Sequence, residues 1–236
     1  MRIDFSGERV LAVVAHPDDA DLLCAGTLAR ARDDGAAIGV CVLCQGDKGQ
    51  PSQRIEGLAA VRRREMGASA RLLGAELFLG DCPDGQLADE PGRRSQLVEF
   101  YRRFQPTLVL AHWPDDYHPD HRAAGQLAEA ASWFCASAGH AGAAPRLAQP
   151  PSLWWMDTVD MAGFRPGFYV DVSRYVELKQ QLLACHKSQL ERAGEKDFGP
   201  LIEQMLHQGR TRGSQAGVEA AEAFRVHLAW KRTRAW

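Results

Sequence analysis

Two short segments hold side chains able to grip a metal ion and move a proton: Ala15-His16-Pro17-Asp18-Asp19 and Asp116-Tyr117-His118-Pro119-Asp120-His121. Imidazole nitrogen and carboxylate oxygen together suit zinc, which takes a tetrahedral donor set. A hydrolytic zinc site uses three protein ligands and keeps a position for water. Each proline fixes its own φ and confines the preceding residue to extended geometry, which holds His16 and His118 beside the acids that follow them. Taken singly, these residues have plainer uses. Asp18, Asp19 and Asp120 sit where helices would start, and aspartates commonly cap helices. The recurrence of the pattern in two loops points to a joint site.

Joining loops a hundred residues apart requires a particular fold. The first two thirds of the chain alternate short apolar runs with helical patterns, the βαβ signature of a parallel sheet. Strands are expected over residues 9–15, 38–43, 76–79 and 107–112, and helices over 19–34, 55–73, 93–104 and 120–137. The stretch 138–151 is rich in Ala, Gly and Pro and reads as a surface loop. Beyond it the pattern weakens: strands over 152–156, 168–172 and 224–228, and a helix over 175–190. The expectation is an α/β, Rossmann-like, mostly parallel sheet flanked by helices, one domain over residues 1–236 with an elaborated C-terminal third. A strand order of 3-2-1-4 would bring both histidine–aspartate loops to the carboxyl ends of neighbouring strands, where open α/β sheets bind ligands.

Composition excludes several classes. The formal net charge is −2, and the basic clusters at residues 62–64 and 231–234 are short and read as solvated faces, so nucleic acid is not an expected partner. No apolar run approaches the ~20 residues that span a bilayer, and the charged N-terminus does not read as a signal peptide. A cytoplasmic protein without membrane attachment is expected. The six cysteines are scattered in apolar segments and read as small buried hydrophobes. Cys41 and Cys44 form a C-x-x-C, but on a strand they would face opposite sides. The first strand-to-helix turn lacks the glycines a dinucleotide needs, and Walker A and G-x-S-x-G patterns are absent.

The chain resembles the LmbE-like (PIG-L) deacetylase family. Its A-H-P-D-D and H-P-D-H hallmarks stand at residues 15–19 and 118–121. In the same order come Gly46-Asp47-Lys48-Gly49, Arg62-x-x-Glu65, Leu73-Gly74, Asp84-Gly85, Ser188-Gln189 and Glu222-Ala223-Phe224. The resemblance implies a zinc-dependent hydrolase that removes an N-acetyl (or N-acyl) group from an N-acetylglucosamine-type sugar conjugate, with one Zn2+ per chain or another divalent ion in its place. It implies His16, Asp19 and His121 as ligands, Asp18 as general base and His118 as oxyanion stabiliser or acid. Asp120 would orient the His118 imidazole, and Arg62 and Asp84 would contact the sugar. Tyr117 departs from the family pattern and would either reach the oxyanion or pack. Asp116 would either back a ligand or be a simple loop acid. Relatives are often oligomers, so a homo-oligomer is expected.

Of the other histidines, His112 and His186 are the two whose positions suggest more than surface. Trp113, Trp154 and Trp155 could stack on a sugar or fill the core. The alternatives in function are a metal-dependent amidase of a thiol or other small-molecule conjugate, a phosphoesterase, and a non-catalytic sugar-binding relative.

Overall fold

The apolar runs become the strands of a seven-stranded sheet in this computed structural model, which describes residues 3–49, 55–140, 142–190 and 200–229. β1 (Arg9–Val14), β2 (Ala37–Cys44), β3 (Glu76–Cys82), β4 (Leu108–Ala111) and β5 (Ser152–Met156) are parallel. β6 (Phe168–Asp171) and β7 (Ala221–Val226) close the far edge, with β7 antiparallel to both β5 and β6. The order is β3-β2-β1-β4-β5-β7-β6. β1 and β4 are therefore neighbours, with Val10 opposite Leu108 and Val13 opposite Ala111. The chain leaves β1 towards β2 and β3 and later returns to its other side at β4. The crevice outside the carboxyl ends of β1 and β4 is the switch point where such sheets bind ligands.

The eight helices described are α1 (Asp19–Leu23), α2 (Ala25–Asp33), α3 (Leu58–Leu73), α4 (Pro91–Phe104), α5 (Pro119–Phe134), α6 (Val176–Leu183), α7 (Lys187–Leu190) and α8 (Leu201–Ala216). Strand alternation sends Val10, Ala12 and Val14 into one core layer with Leu28, Met66, Leu182 and Met205. Leu11 and Val13 enter the other, with Leu97, Tyr101, Phe104 and Leu127. Both faces are covered, which is why the central strands read as continuous apolar runs. Trp154 and Trp155 are core residues, Trp154 packing edge-on to Phe5 and Phe168.

Several expectations are corrected. The helix over 19–34 divides at Cys24, whose φ of −145° leaves the helical region. The Glu222 carboxylate accepts the N–H groups of Gly26 and Thr27 at 2.9 and 2.7 Å, so a second helix start is capped inside the protein. The helix over 175–190 also divides, because His186 and Ser188 turn to bond Asp21 and Glu65. The last strand begins three residues early, at Ala221, and ends at Val226. The third runs on to Cys82. α8 was not foreseen. Cys41 and Cys44 do not face opposite sides: a register shift between Val42 and Cys44 turns Cys44 into the core layer that holds Cys41. The cluster 62–64 is not one solvated face, since Arg62 is buried while Arg63 and Arg64 are exposed. Residues 231–234 lie outside the described residues. No helix among the described residues is long and apolar enough to cross a membrane.

Candidate active site

The loop after β1 and the start of α5 meet at the switch point. Asp19, in the first turn of α1, lies between two imidazoles: its Oδ2 is 3.5 Å from His16 Nδ1 and its Oδ1 is 3.4 Å from His121 Nε2. A tetrahedron with bonds of ~2.1 Å has edges of about 3.4 Å, so each separation by itself is that of two zinc donors, though the two use different oxygens of Asp19. Two groups whose three donor atoms all lie within 4.8 Å of one another here are His16–His118–His121 and Asp19–His112–His121. The far nitrogen of each ring meets a second carboxylate, His16 Nε2 at Asp120 Oδ2 and His121 Nδ1 at Asp116 Oδ1, both 3.1 Å. Such outer acids fix the tautomer and leave the near nitrogen's lone pair facing the centre. In donor type, two imidazoles and a carboxylate, His16, Asp19 and His121 fit zinc. Asp116 backs a candidate ligand rather than being a simple loop acid.

Asp120 departs from its expected role. Its carboxylate accepts from Gly85 N–H at 2.7 Å and meets His16, while its own backbone N–H donates to His118 Nδ1 at 3.2 Å. The main chain at residue 120, not the side chain, orients His118. Because Nδ1 accepts, the proton of neutral His118 sits on Nε2.

Charge is concentrated here. Burial opposes protonation of His16, but the carboxylates of Asp120 and Asp19 outweigh it and push its pKa up to about 10. Burial likewise opposes His121, and Asp19 and Asp116 push it up to about 9. Burial works against ionised Asp120, yet His16 and the Gly85 N–H hold it down at about 2. His118 is lowered, by burial first and then by the charges of His121 and His16. Burial raises Asp18 while Arg62 opposes the rise. Asp19, Asp116 and Asp120 thus set three carboxylates against the two imidazoles, a grouping rich enough in negative charge to receive a cation.

Asp18 has a φ of 97°, in the left-handed region that disfavours every side chain but glycine, at a cost of order ~1–3 kcal/mol. Arg62 of α3 holds it there, donating to the Asp18 carboxylate at 2.8 Å and to the Pro17 carbonyl. Gly46 makes room: a Cβ at that position would lie 2.9 Å from the Arg62 Cδ. The Asp84 carboxylate accepts from the N–H groups of Gly46 and Lys48 at 2.8 and 3.1 Å, so it braces that loop. Arg62, Asp84 and Tyr117 all line a cleft of about 1030 Å³, with Tyr117 exposed at 58%.

Three features escaped the sequence reading in their roles. His112, fully buried at the end of β4, stacks on His121 with centroids 4.0 Å apart and places Nε2 3.2 Å from Asp19 Oδ2. Its place at a strand end was the available signal. Glu65, one turn along α3 from Arg62, accepts from Ser188 N–H and Oγ at 2.8 and 2.7 Å, which seats Gln189 in the cleft wall. α8 also lines the cleft, contributing Leu201, Glu203, Gln204 and His207. No local signal pointed to it. Trp113, Trp154 and Trp155 do not line the cleft.

The class defined by this fold and site has known members. Residues 11–132 match the model of the PIG-L family, GlcNAc-PI de-N-acetylase, and the chain belongs to that family. Diacetylchitobiose deacetylase of Thermococcus kodakarensis is 30% identical over 236 residues, covering 94% of this chain and 86% of that one. The structure of N,N'-diacetylchitobiose deacetylase from Pyrococcus horikoshii superposes with a TM-score of 0.79 at 26% identity, over 93% of this chain and 84% of that one. 4-Oxalmesaconate hydratase of Pseudomonas putida is 27% identical over 188 residues, covering 76% of this chain and 73% of that one. With deacetylases prominent among its relatives, the chain is an enzyme of the deacetylase class.

Proposed function

We propose that this protein is a zinc-dependent hydrolase that removes the acetyl group from an N-acetylglucosamine-type sugar conjugate, as its chitobiose-deacetylating relatives are named to do. The observation that carries the reading is Asp19 bridging His16 Nδ1 and His121 Nε2 at 3.5 and 3.4 Å beside buried Asp18. His16, Asp19 and His121 would hold the ion. Zinc bound there would polarise the acetamide carbonyl and make water more acidic.

The chain's own groups do the rest. Asp18, held by Arg62 and made more basic by burial, takes a proton from the attacking water. His118 presents Nε2–H to the developing oxyanion, a donor of the kind worth ~10²–10³ in rate. Asp120 and Asp116 keep the His16 and His121 rings turned towards Asp19. Arg62 contributes by holding Asp18, and Asp84 by holding the Gly46–Lys48 turn against the sugar. Tyr117 stands exposed in the cleft wall, within reach of a bound sugar. A single domain carries the reaction, since one sheet runs from residue 9 to residue 226.

The hydratase relative poses a rival chemistry. Among the described residues lining the cleft, the fixed cations are Lys48 and Arg62, the latter paired with Asp18, against Asp19, Asp84, Asp120 and Glu203. With Asp18 paired to Arg62 and a bound zinc offsetting two of the remaining carboxylates, the lining charge does not choose between an anionic substrate and a neutral acetamido sugar, and the assay does. Acetate release from N,N'-diacetylchitobiose, measured beside zinc content, tests the reading. A zinc-replete protein inert on a panel of acetamido sugars would refute it.

A further inference from the structure

A second set of donors lies behind the first. Cys44, the last residue of β2, is buried, and one donor atom each of Cys44, His16 and Asp120 lie within 4.8 Å of one another. The three come from separate elements: a strand end, the loop after β1 and the first turn of α5. The register shift between Val42 and Cys44 puts the sulfur on this side of the sheet. Cys82, paired with Cys44 on β3, brings a second thiol within hydrogen-bonding reach of it. Thiolate, imidazole and carboxylate together select zinc or cadmium, whereas magnesium and calcium prefer oxygen alone.

We propose that Cys44, His16 Nε2 and Asp120 form a second, inhibitory site for a thiophilic divalent ion. Inhibition rests on the functional reading above, in which His16 is a zinc ligand through Nδ1. The Cys44 thiol releases its proton to solvent as the sulfur–metal bond forms. The proton that His16 Nε2 shares with Asp120 leaves in the same way, and no group changes oxidation state. The 3.1 Å His16–Asp120 hydrogen bond aims His16 Nδ1 at Asp19. An ion inserted between its partners replaces that hydrogen bond with a metal bond and shifts the ring, so occupancy of this site slows the reaction at the first while zinc stays bound there.

The test is a titration of the enzyme, loaded with a single equivalent of zinc, with cadmium chloride. The wild type should take up one more equivalent without releasing zinc and develop a thiolate-to-cadmium ultraviolet absorption. Acetate release should fall about 10–100-fold, the usual cost of disturbing the outer partner of a ligating histidine. Cys44→Ser and Cys44→Ala should match the wild type before cadmium and then show neither uptake, absorption nor inhibition. Cys82→Ser should keep all three. Zinc displacement with no net uptake, absence of the absorption in the wild type, or equal inhibition of the Cys44 variants would overturn the site. If the Cys44 variants misfold by circular dichroism, cadmium NMR of the wild type decides, since a single sulfur ligand is required. Absence of acetate release before any cadmium is added would sink the functional reading instead, and uptake and absorption would still judge this site.

Discussion

Residues 9–134 and residues 152–226 contribute to the same sheet but bury different things. The first part packs apolar side chains on both faces of parallel strands and gathers most of its buried charges around the His16 and His118 loops, with Asp21 and Arg102 buried elsewhere. The second disperses charge through its interior as matched pairs. Arg212 of α8 grips Asp157 through two bonds of 2.6 and 3.1 Å, and Gln208 donates to the Thr158 carbonyl at 2.8 Å. Lys179 pairs with Glu222, which also caps α2. His186 meets Asp21 at 2.7 Å, and Asp21 accepts from Ser69 at 2.7 Å. One part concentrates ionisable groups for chemistry. The other uses them to dock the helices that wall the cleft.

Substitutions separate these two uses. The largest effect is expected from His121→Ala, which should lose zinc and all measurable acetate release while remaining folded, read by elemental analysis and assay. Asp18→Asn should keep zinc and lose on the order of 10³-fold in kcat, within the usual span for a general base. Equal zinc loss in both variants would erase the division between ligand and base. In the C-terminal part, Arg212→Ala leaves Asp157 buried and unpaired. It should cost about 3–5 kcal/mol in chemical denaturation, with kcat per folded molecule little changed. A variant of unchanged stability but low kcat would mean that α8 serves the chemistry directly. Asp116→Asn should weaken zinc affinity about 10–100-fold at nearly full kcat when saturated, measured by competition with a chelator.

The smallest effect is a pH dependence of the zinc-free protein. His16 and His121 have pKa values raised from 6.5 to about 10 and about 9. Protonation of the folded state therefore contributes stability that is fully present below about 6.5 and is lost as pH rises through 9 and 10. The denaturation midpoint of the zinc-free protein should fall across that window. Zinc binding at pH 7 should expel protons from both rings, which calorimetry in buffers of different ionisation enthalpy would register. Absence of proton release would show that these imidazoles are already neutral.

The parallel strands and their order were legible because continuous apolar runs separated by helical periods leave few topologies, and because two identical kinds of loop demanded a shared crevice. The motif residues were legible as a group. Their individual partners were not: Asp120 follows His118 closely in sequence, yet its carboxylate turns to His16 across the crevice. α8 escaped notice because its second half buries Gln208, Arg212 and Gly213, which carry no apolar period. A Cβ at Gly213 would lie 2.6 Å from the Glu219 carbonyl, so that glycine permits close packing rather than ending a helix.

By itself, then, the chain's pattern of apolar runs and histidine–aspartate loops determined a parallel α/β sheet, a site between its first and fourth strands, and the family. Only the folded structure decided which nitrogen of each histidine faces inward, which acid stands behind it, and which helix closes the cleft. Periodicity reports burial along one segment, whereas pairing of charges and rings depends on segments that meet only after folding.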